Sequence, residues 1–556
     1  MATGIPICSP AAQPTTQYSR AEDCRRQYTP SVWGDFFVTY QPCTPEELLS
    51  MEEKAQAKKE VVKRMLLEVG ASNDLVRKLE LVDELERLGV AHHYKQEIDE
   101  LLLSVYHDKY AGSDDLYVTS LRFYLLRKHG YFVSSDVFVK FRDEQGNISS
   151  DDVKGLMMLY DAAYLRIHDE ETLDNIISFN KSRLRSLMDT NLEPDLQEEV
   201  RCTLDTPRFR RVERVEARRF ISVYEKNAAR YNTLLEFAKL DYNITQVLYC
   251  KELKELTMWW KDFLSEGNIL MFARDRIVEM YFWMMAIVYE PCYSFSRVWV
   301  TKMALSIALM DDIYDNYTSA EESRIFTIAM ERWDRTAMEQ LPEHVRGFYD
   351  YLLRSTDEIV EELKIQNNKN AEMVRKVLID VGRCYHSEVE WRDSHYVPAD
   401  VEEHLQISAS SIAAMHTINT AFISLGDVTT REAVECAFTY PKLIRGICIL
   451  ARVSNDIVSQ EREQASEHMA STVQTCMKQY GITVEEANEK LRGINEKAWM
   501  DIVDECLHQE HFPIALSKKV VNFGQSIDFI YKSVDSYTIP SKLKDTLASL
   551  YVKFII

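Results

Sequence analysis

Three carboxylates close an apolar run in "LSIALMDDIYDNYTSAEE", Leu305 to Glu322. On an α-helix Asp311 and Asp315 stand about one turn apart, roughly 40° around the axis, while Asp312 is rotated roughly 100° from Asp311. Two of the three can therefore grip one ion, and Asp312 is turned away from it. Oxygen ligands with room for water suit a hard cation, and Mg²⁺ commonly takes one or two carboxylates together with phosphate oxygens of a substrate. On its own, DDxxD spacing is more often a solvated helix end than a metal site.

A second cluster answers the first. In "RVSNDIVSQEREQASEH" the residues Asn455, Ser459 and Glu463 fall at i, i+4 and i+8, so an amide, a hydroxyl and a carboxylate rise along one helix face. A third element lies upstream, where Arg274 and Arg276 of "FARDRIVEMYFW" enter an apolar helix and carry forked donors suited to phosphate oxygens. Trp283, nine residues after Arg274, would lie about two and a half turns deeper on that helix. Together these elements describe a diphosphate held between two metal-binding faces, with arginines to receive it as a leaving group.

Long helices have to position such groups, and the composition supplies them. Glycine accounts for 16 of 556 residues, about 3% against a typical ~7%, while helix formers are abundant. The expected fold class is all-α. At this length two α-helical domains are expected: a tail over residues 1–20 expected to be disordered, an N-terminal domain of helical hairpins over 21–238, and a C-terminal metal-binding domain over 239–556. The change of character near residue 238, from polar amphipathic hairpins to helices such as "IVEMYFWMMAIVYE", sets that boundary. "TPEELLSMEEKAQ" opens a helix at Thr44 and Pro45, with acids in its first turn.

The formal net charge of −22 disfavours nucleic acid and anionic membrane as partners, and no apolar run is long enough to span a bilayer. The 11 cysteines form no CxxC pair, which points to a reducing compartment. The motifs GxxxxGK[ST], HExxH and GxSxG are absent. So is DxDD, the nearest sequence being "SSDD" at Ser149 to Asp152.

The order RDR, Trp283, DDIYD, Arg452 and "NDIVSQERE", with "RRQYTPSVWGDFF" and "LYDAAYLRIHDEETL" before it, resembles the plant class I terpene synthases, and within them the angiosperm sesquiterpene synthase group. The resemblance implies a C-terminal class I terpenoid synthase bundle around a central cavity. It assigns Asp311, Asp312 and Asp315 to metal on one wall and Asn455, Ser459 and Glu463 to a third Mg²⁺ ion, with Mn²⁺ as the substitute ion. Arg274, Arg276 and Arg452 would contact the diphosphate. Trp283 would face a carbocation, Asp535 and Tyr537 would sit on a lid and relay a proton, and Arg25 and Arg26 would help cover the closed site. Ser408, Ser410 and Ser411 lie where the family has a helix break, although the glycine often found there is missing.

The implied reaction is ionisation of a prenyl diphosphate. Because only 24 residues precede Arg25, the expectation is a cytosolic, monomeric enzyme that converts farnesyl diphosphate to a cyclic sesquiterpene olefin or alcohol. Geranyl diphosphate is the alternative substrate. A catalytically silent helical scaffold is the alternative of another class.

Overall fold

The computed structural model describes residues 30–108, 114–148, 150–190, 192–265, 273–394, 396, 398–464 and 471–556, the side chains of 462–464 excepted. Arg25 and Arg26 lie outside these residues, as do the whole of the expected 1–20 tail and the side chain of Glu463. Among the described residues there are helices and turns and no strand. None of these helices is long and apolar enough to cross a membrane.

Local chemistry explains where the helices begin. Thr44 accepts the Glu47 amide while the Glu47 carboxylate accepts the Thr44 amide, so the helix Pro45–Ala71 (α1) opens on the capping box and Pro that the sequence announces. The same reciprocal pair recurs at Ser319 and Glu322, and at Thr483 and Glu486. In the N-terminal half Leu116–Lys128 (α2) packs against Val153–Ala163 (α3), and Glu213–Lys226 (α4) packs on the long helix that follows it.

Residue 238, where the composition changes, lies inside one continuous helix, Asn232–Ser265 (α5). That helix packs on α1 at one side and on Ile277–Ile287 (α6) and Ser294–Asp312 (α7) at the other, so it belongs to both halves. A buried polar knot fixes it there. Arg297 of α7 donates from Nε and Nη2 to Glu252 of α5 at 2.9 and 2.7 Å, and the Tyr281 hydroxyl of α6 donates to the same carboxylate at 2.7 Å. Removing one member of such a buried set typically costs about 3 to 5 kcal/mol, because the remaining charge is left uncompensated.

The C-terminal half continues with Ala320–Arg332 (α8), Met373–Asp393 (α9), Val401–Ser411 (α10), Ala414–Ser424 (α11), Lys442–Gln464 (α12), Val484–His508 (α13) and Ile514–Ile530 (α14). Helices α6, α7, α9, α10, α11, α12 and α14 pack side by side into a ring. Glu496 on α13 ties the two halves together, accepting Arg210 at 2.6 and 2.9 Å and Arg166 at 2.9 Å.

Candidate active site

A cavity of about 640 Å³ fills the centre of the helical ring. Its floor is apolar and includes Met280, Trp283, Ile307 and Phe523. Its rim is polar, and the sequence motifs meet there: Arg274, Asp311, Asp312, Asp315, Arg452, Asn455, Asp535 and Tyr537 all line the one cavity. A larger cavity of about 740 Å³ lies between the two halves. Much of its charge is already paired, Arg210 with Glu496, Arg211 with Glu216 and Lys532 with Asp205.

The acidic motif departs from a straight α-helix. α7 ends at Asp312, and Ile313–Tyr317 form one π-helical turn. Such turns widen the helix and recur at functional sites. Here the turn lies immediately before Thr318, where the chain becomes extended, and the Thr318 hydroxyl donates back to the Tyr314 carbonyl at 3.1 Å. Asp312, expected to turn away, lines the same cavity as Asp311, because Arg274 reaches over and donates to it from Nε at 3.0 Å.

The Asp311 side chain is 39% exposed and lines the open cavity. Burial pushes its carboxyl up to about 7, Asp312 and Glu388 push the same way, and Arg274 opposes them. Asp315 is exposed at the rim, yet the protein crowded around it, together with Asp311 and Glu388, pushes its carboxyl above the usual carboxylate range, with Arg392 opposing. Several acids crowding one rim through oxygen donors, beside the Asn455 amide, form a donor set that fits a hard divalent cation. Ser459 lies one turn beyond Asn455 on α12 and is buried.

The two upstream arginines have different surroundings. α6 begins only at Ile277 with Arg276 as its N-cap, so both arginines lie ahead of the helix and not within it, and Trp283 is six residues into the helix rather than nine. Arg276 is fully buried and donates to the carbonyls of Tyr537 at 3.1 Å, Thr538 at 3.3 Å and Asp275 at 2.7 Å. It therefore ties down the 535–539 segment and does not line the cavity, contrary to the expected contact with a diphosphate. A guanidinium in this buried position needs several carbonyls at once, and those of a helix interior are already taken. Arg452 faces the cavity; its Nε donates to the Ser408 carbonyl at 2.8 Å and its Nη2 to Ser411 Oγ at 3.1 Å.

That serine segment is a helix break. α10 stops at Ser411 and α11 starts at Ala414, with Ala413 in the left-handed region at φ 59° and on the cavity wall. Trp283 presents its ring to the cavity among Tyr531, Tyr537 and Phe523, with centroids 5.6, 5.9 and 6.2 Å away. Successive α6 residues point about 100° apart, so Tyr281 in the polar knot and Phe282 against Phe529 leave Trp283 to face inward. In the C-terminal segment Asp535 Oδ1 accepts the Thr538 amide at 3.0 Å, and burial holds the Tyr537 hydroxyl well above its ordinary range.

Two charged cavity residues, Glu388 and Arg392, are not announced by any motif, and Asp456, adjacent to the second motif but outside its ligand positions, joins them. Glu388 and Arg392 are one turn apart on α9, in "SEVEWRD", and their only sequence signal is an acid and a base at i, i+4 beside a buried Trp391. Asp456 lines the cavity too, accepting the Thr472 amide at 2.7 Å and standing 3.6 Å from Arg452.

The pattern of the terpene synthase family, metal binding domain, matches residues 264–501, and that of the terpene synthase N-terminal domain matches residues 32–204. The chain belongs to the terpene synthase family. It is 50% identical over 545 residues to an (E)-beta-caryophyllene synthase of Zea mays, covering 98% of this chain and 99% of that protein. It is 43% identical to a beta-sesquiphellandrene synthase of Sorghum bicolor, with coverage of 95% and 96%. Among solved structures, this terpene synthase superposes on limonene synthase with 2-fluorolinalyl diphosphate at a TM-score of 0.87 and 27% identity, covering 95% of this chain and 99% of that one. It superposes on isoprene synthase of grey poplar, in complex with three Mg²⁺ ions and dimethylallyl-S-thiolodiphosphate, at 0.84 and 28% identity, covering 91% and 98%.

Proposed function

We infer that this terpene synthase ionises farnesyl diphosphate and releases diphosphate with a sesquiterpene, a cyclic olefin or alcohol. The observation that carries the reading is the polarity of a single cavity, with acids, an amide and guanidiniums at its rim and Trp283 over an apolar floor. The relatives named for caryophyllene and sesquiphellandrene support the C15 substrate class.

Asp311, Asp312, Asp315, Asn455, Ser459 and Glu463 would hold divalent metal, Mg²⁺ or Mn²⁺, three ions being the number in the grey poplar complex. When bound, that metal supplies Lewis acidity and neutralises charge on the diphosphate. Arg274 and Arg452 receive the leaving diphosphate through charge-assisted hydrogen bonds, which in a cavity shielded from water are stronger than in bulk. Trp283 offers its face to the cation, a contact worth about 0.5 to 2 kcal/mol or more when desolvated. Arg276 keeps water out by holding the Tyr537 and Thr538 backbone across the mouth. Asp535 and Tyr537 complete the proposal as a proton relay to a neutral intermediate. The nine described cysteines are free thiols, as a reducing cytosol would keep them, and the enzyme is proposed to act there as a monomer.

The test is gas chromatography with mass spectrometry on purified protein given Mg²⁺ and, separately, farnesyl, geranyl and geranylgeranyl diphosphates, with pyrophosphate release followed in parallel. C15 products from farnesyl diphosphate that disappear with chelator are expected. A higher kcat/KM on geranyl diphosphate, or no release from any of the three, overturns the reading.

A further inference from the structure

The π-helical turn that carries Asp315 is gripped from outside at two places: His344 Nε2 lies 2.9 Å from the Tyr317 carbonyl, and a second side chain takes the carbonyls around Asp315 itself. A helix end leaves its last carbonyls without partners inside the helix, and such groups need donors from elsewhere. Arg392, one turn beyond Glu388 on α9, supplies them. Its Nη1 donates to the Asp315 carbonyl at 2.7 Å and to the Tyr314 carbonyl at 3.4 Å, and its Nη2 donates to the Thr318 carbonyl at 3.3 Å. The guanidinium is itself steadied, since its Nε donates to Asp393 Oδ1 at 2.9 Å and its side chain is only 11% exposed. The other Asp393 oxygen accepts the amide of Ala320, the first residue of α8, at 3.2 Å. The dipeptide Arg392–Asp393 thus holds both ends of the 313–320 segment, carbonyls on one side and an amide on the other.

We propose that Arg392 is a positioning residue that fixes the π turn and thereby aims the Asp315 carboxylate at the metal end of the cavity. The proposal rests on the metal-binding role assigned to that rim above. A planar fork suits the task because three carbonyls in nearly one direction are met by one rigid group, which a lysine ammonium does not reproduce. Asp315 has no comparable side-chain anchor on α7 itself, so its direction follows from the backbone that Arg392 holds. Partners that orient a metal ligand typically contribute about 10- to 100-fold to metal affinity.

The test titrates Mn²⁺ into the full-length protein with inorganic pyrophosphate and follows free Mn²⁺ by electron paramagnetic resonance, for wild type, Arg392→Ala, Arg392→Lys and Asp393→Asn. Arg392→Ala is expected to weaken Mn²⁺ binding by ~10-fold or more, with partial recovery on adding guanidinium chloride at millimolar concentration and a smaller recovery in Arg392→Lys. Asp393→Asn, which leaves the guanidinium in place but loosens it, is expected to shift binding in the same direction and by less; it decides the matter if Arg392→Ala does not fold. Unchanged Mn²⁺ affinity in the variants overturns the proposal. So does a variant whose KM for farnesyl diphosphate rises while its metal affinity holds, because Arg392 would then touch substrate directly. Wild-type protein that takes up no Mn²⁺ overturns the assigned metal role and this inference with it.

Discussion

Arg274 and Asp312 are joined by a 3.0 Å hydrogen bond, while Asp311, next in sequence, stands 3.7 Å from the same guanidinium. The two neighbouring acids therefore do different work: Asp312, with its side chain 5% exposed, holds the arginine, and Asp311 keeps its carboxylate toward the cavity. Asp311→Asn should raise the Mg²⁺ concentration needed for half-maximal pyrophosphate release. Asp312→Asn should shift the Mg²⁺ requirement less and mainly impair what Arg274 does. In a double-mutant cycle on kcat/KM, Arg274→Ala and Asp312→Asn should couple by roughly 0.5 to 3 kcal/mol, as contacting residues do. Strict additivity, or the same Mg²⁺ dependence in both Asp variants, would count against this division.

Trp283 has an indole that reaches the cavity, and its Nε1 has no hydrogen-bond partner among the described residues, so the ring face is what it offers. Trp283→Leu should lower kcat by about tenfold, the equivalent of ~1.4 kcal/mol of lost cation stabilisation, with KM nearly unchanged. Trp283→Phe should keep more of the rate but alter the product ratio, because a smaller ring leaves space beside Tyr531 and Phe523. Rates in Trp283→Leu equal to wild type would show that the ring is packing alone.

Arg276 was expected at the diphosphate and is found bonded to the Tyr537 and Thr538 carbonyls. Each hydrogen bond to a charged group is worth roughly 1.5 to 3 kcal/mol, so Arg276→Gln should free the backbone of 535–539 more than it changes substrate binding. Faster amide hydrogen exchange across that segment and a larger share of alcohol over olefin products are expected, since water then reaches the cation. If neither the exchange rate nor the alcohol fraction moves, the anchoring role fails.

What could be read ahead of the structure was whatever short-range chemistry encodes. Thr44, Pro45 and Glu47 announce a helix start because capping is settled within four residues. Asp311, Asp315 and Asn455 could be paired across the chain because each motif carries its own helical spacing. Glu388 and Arg392 could not, because their partners lie some seventy residues away and no local pattern records the contact. The π turn was hidden for a related reason: Asp311 to Asp315 reads as ordinary α-helix, and only contacts from distant residues and the Thr318 hydroxyl hold Ile313–Tyr317 otherwise. Arg276 and Arg274 share one motif, and only tertiary packing separates the buried anchor from the cavity arginine.

Glu279 lies three residues after Arg276 and is fully buried on α6 beside the Trp33 indole. Burial pushes its carboxyl up to about 7, with Asp275 adding to the rise and Arg276 opposing it. A carboxyl raised in the folded state from an ordinary 4.5 stabilises the fold through its protonated form. That contribution is complete below about pH 4.5 and is lost as pH climbs through about 7, after which the buried charge remains as a standing cost. Glu279→Gln keeps the shape and removes the titration. Its Tm should therefore gain on wild type between pH 5 and pH 8, by an amount equivalent to at most roughly 3 kcal/mol, and the gain should level off above that range. Thermal melts in matched buffers read this directly, and a difference in Tm that is the same at pH 5 and pH 8 would mean that Glu279 is ionised in the folded protein throughout.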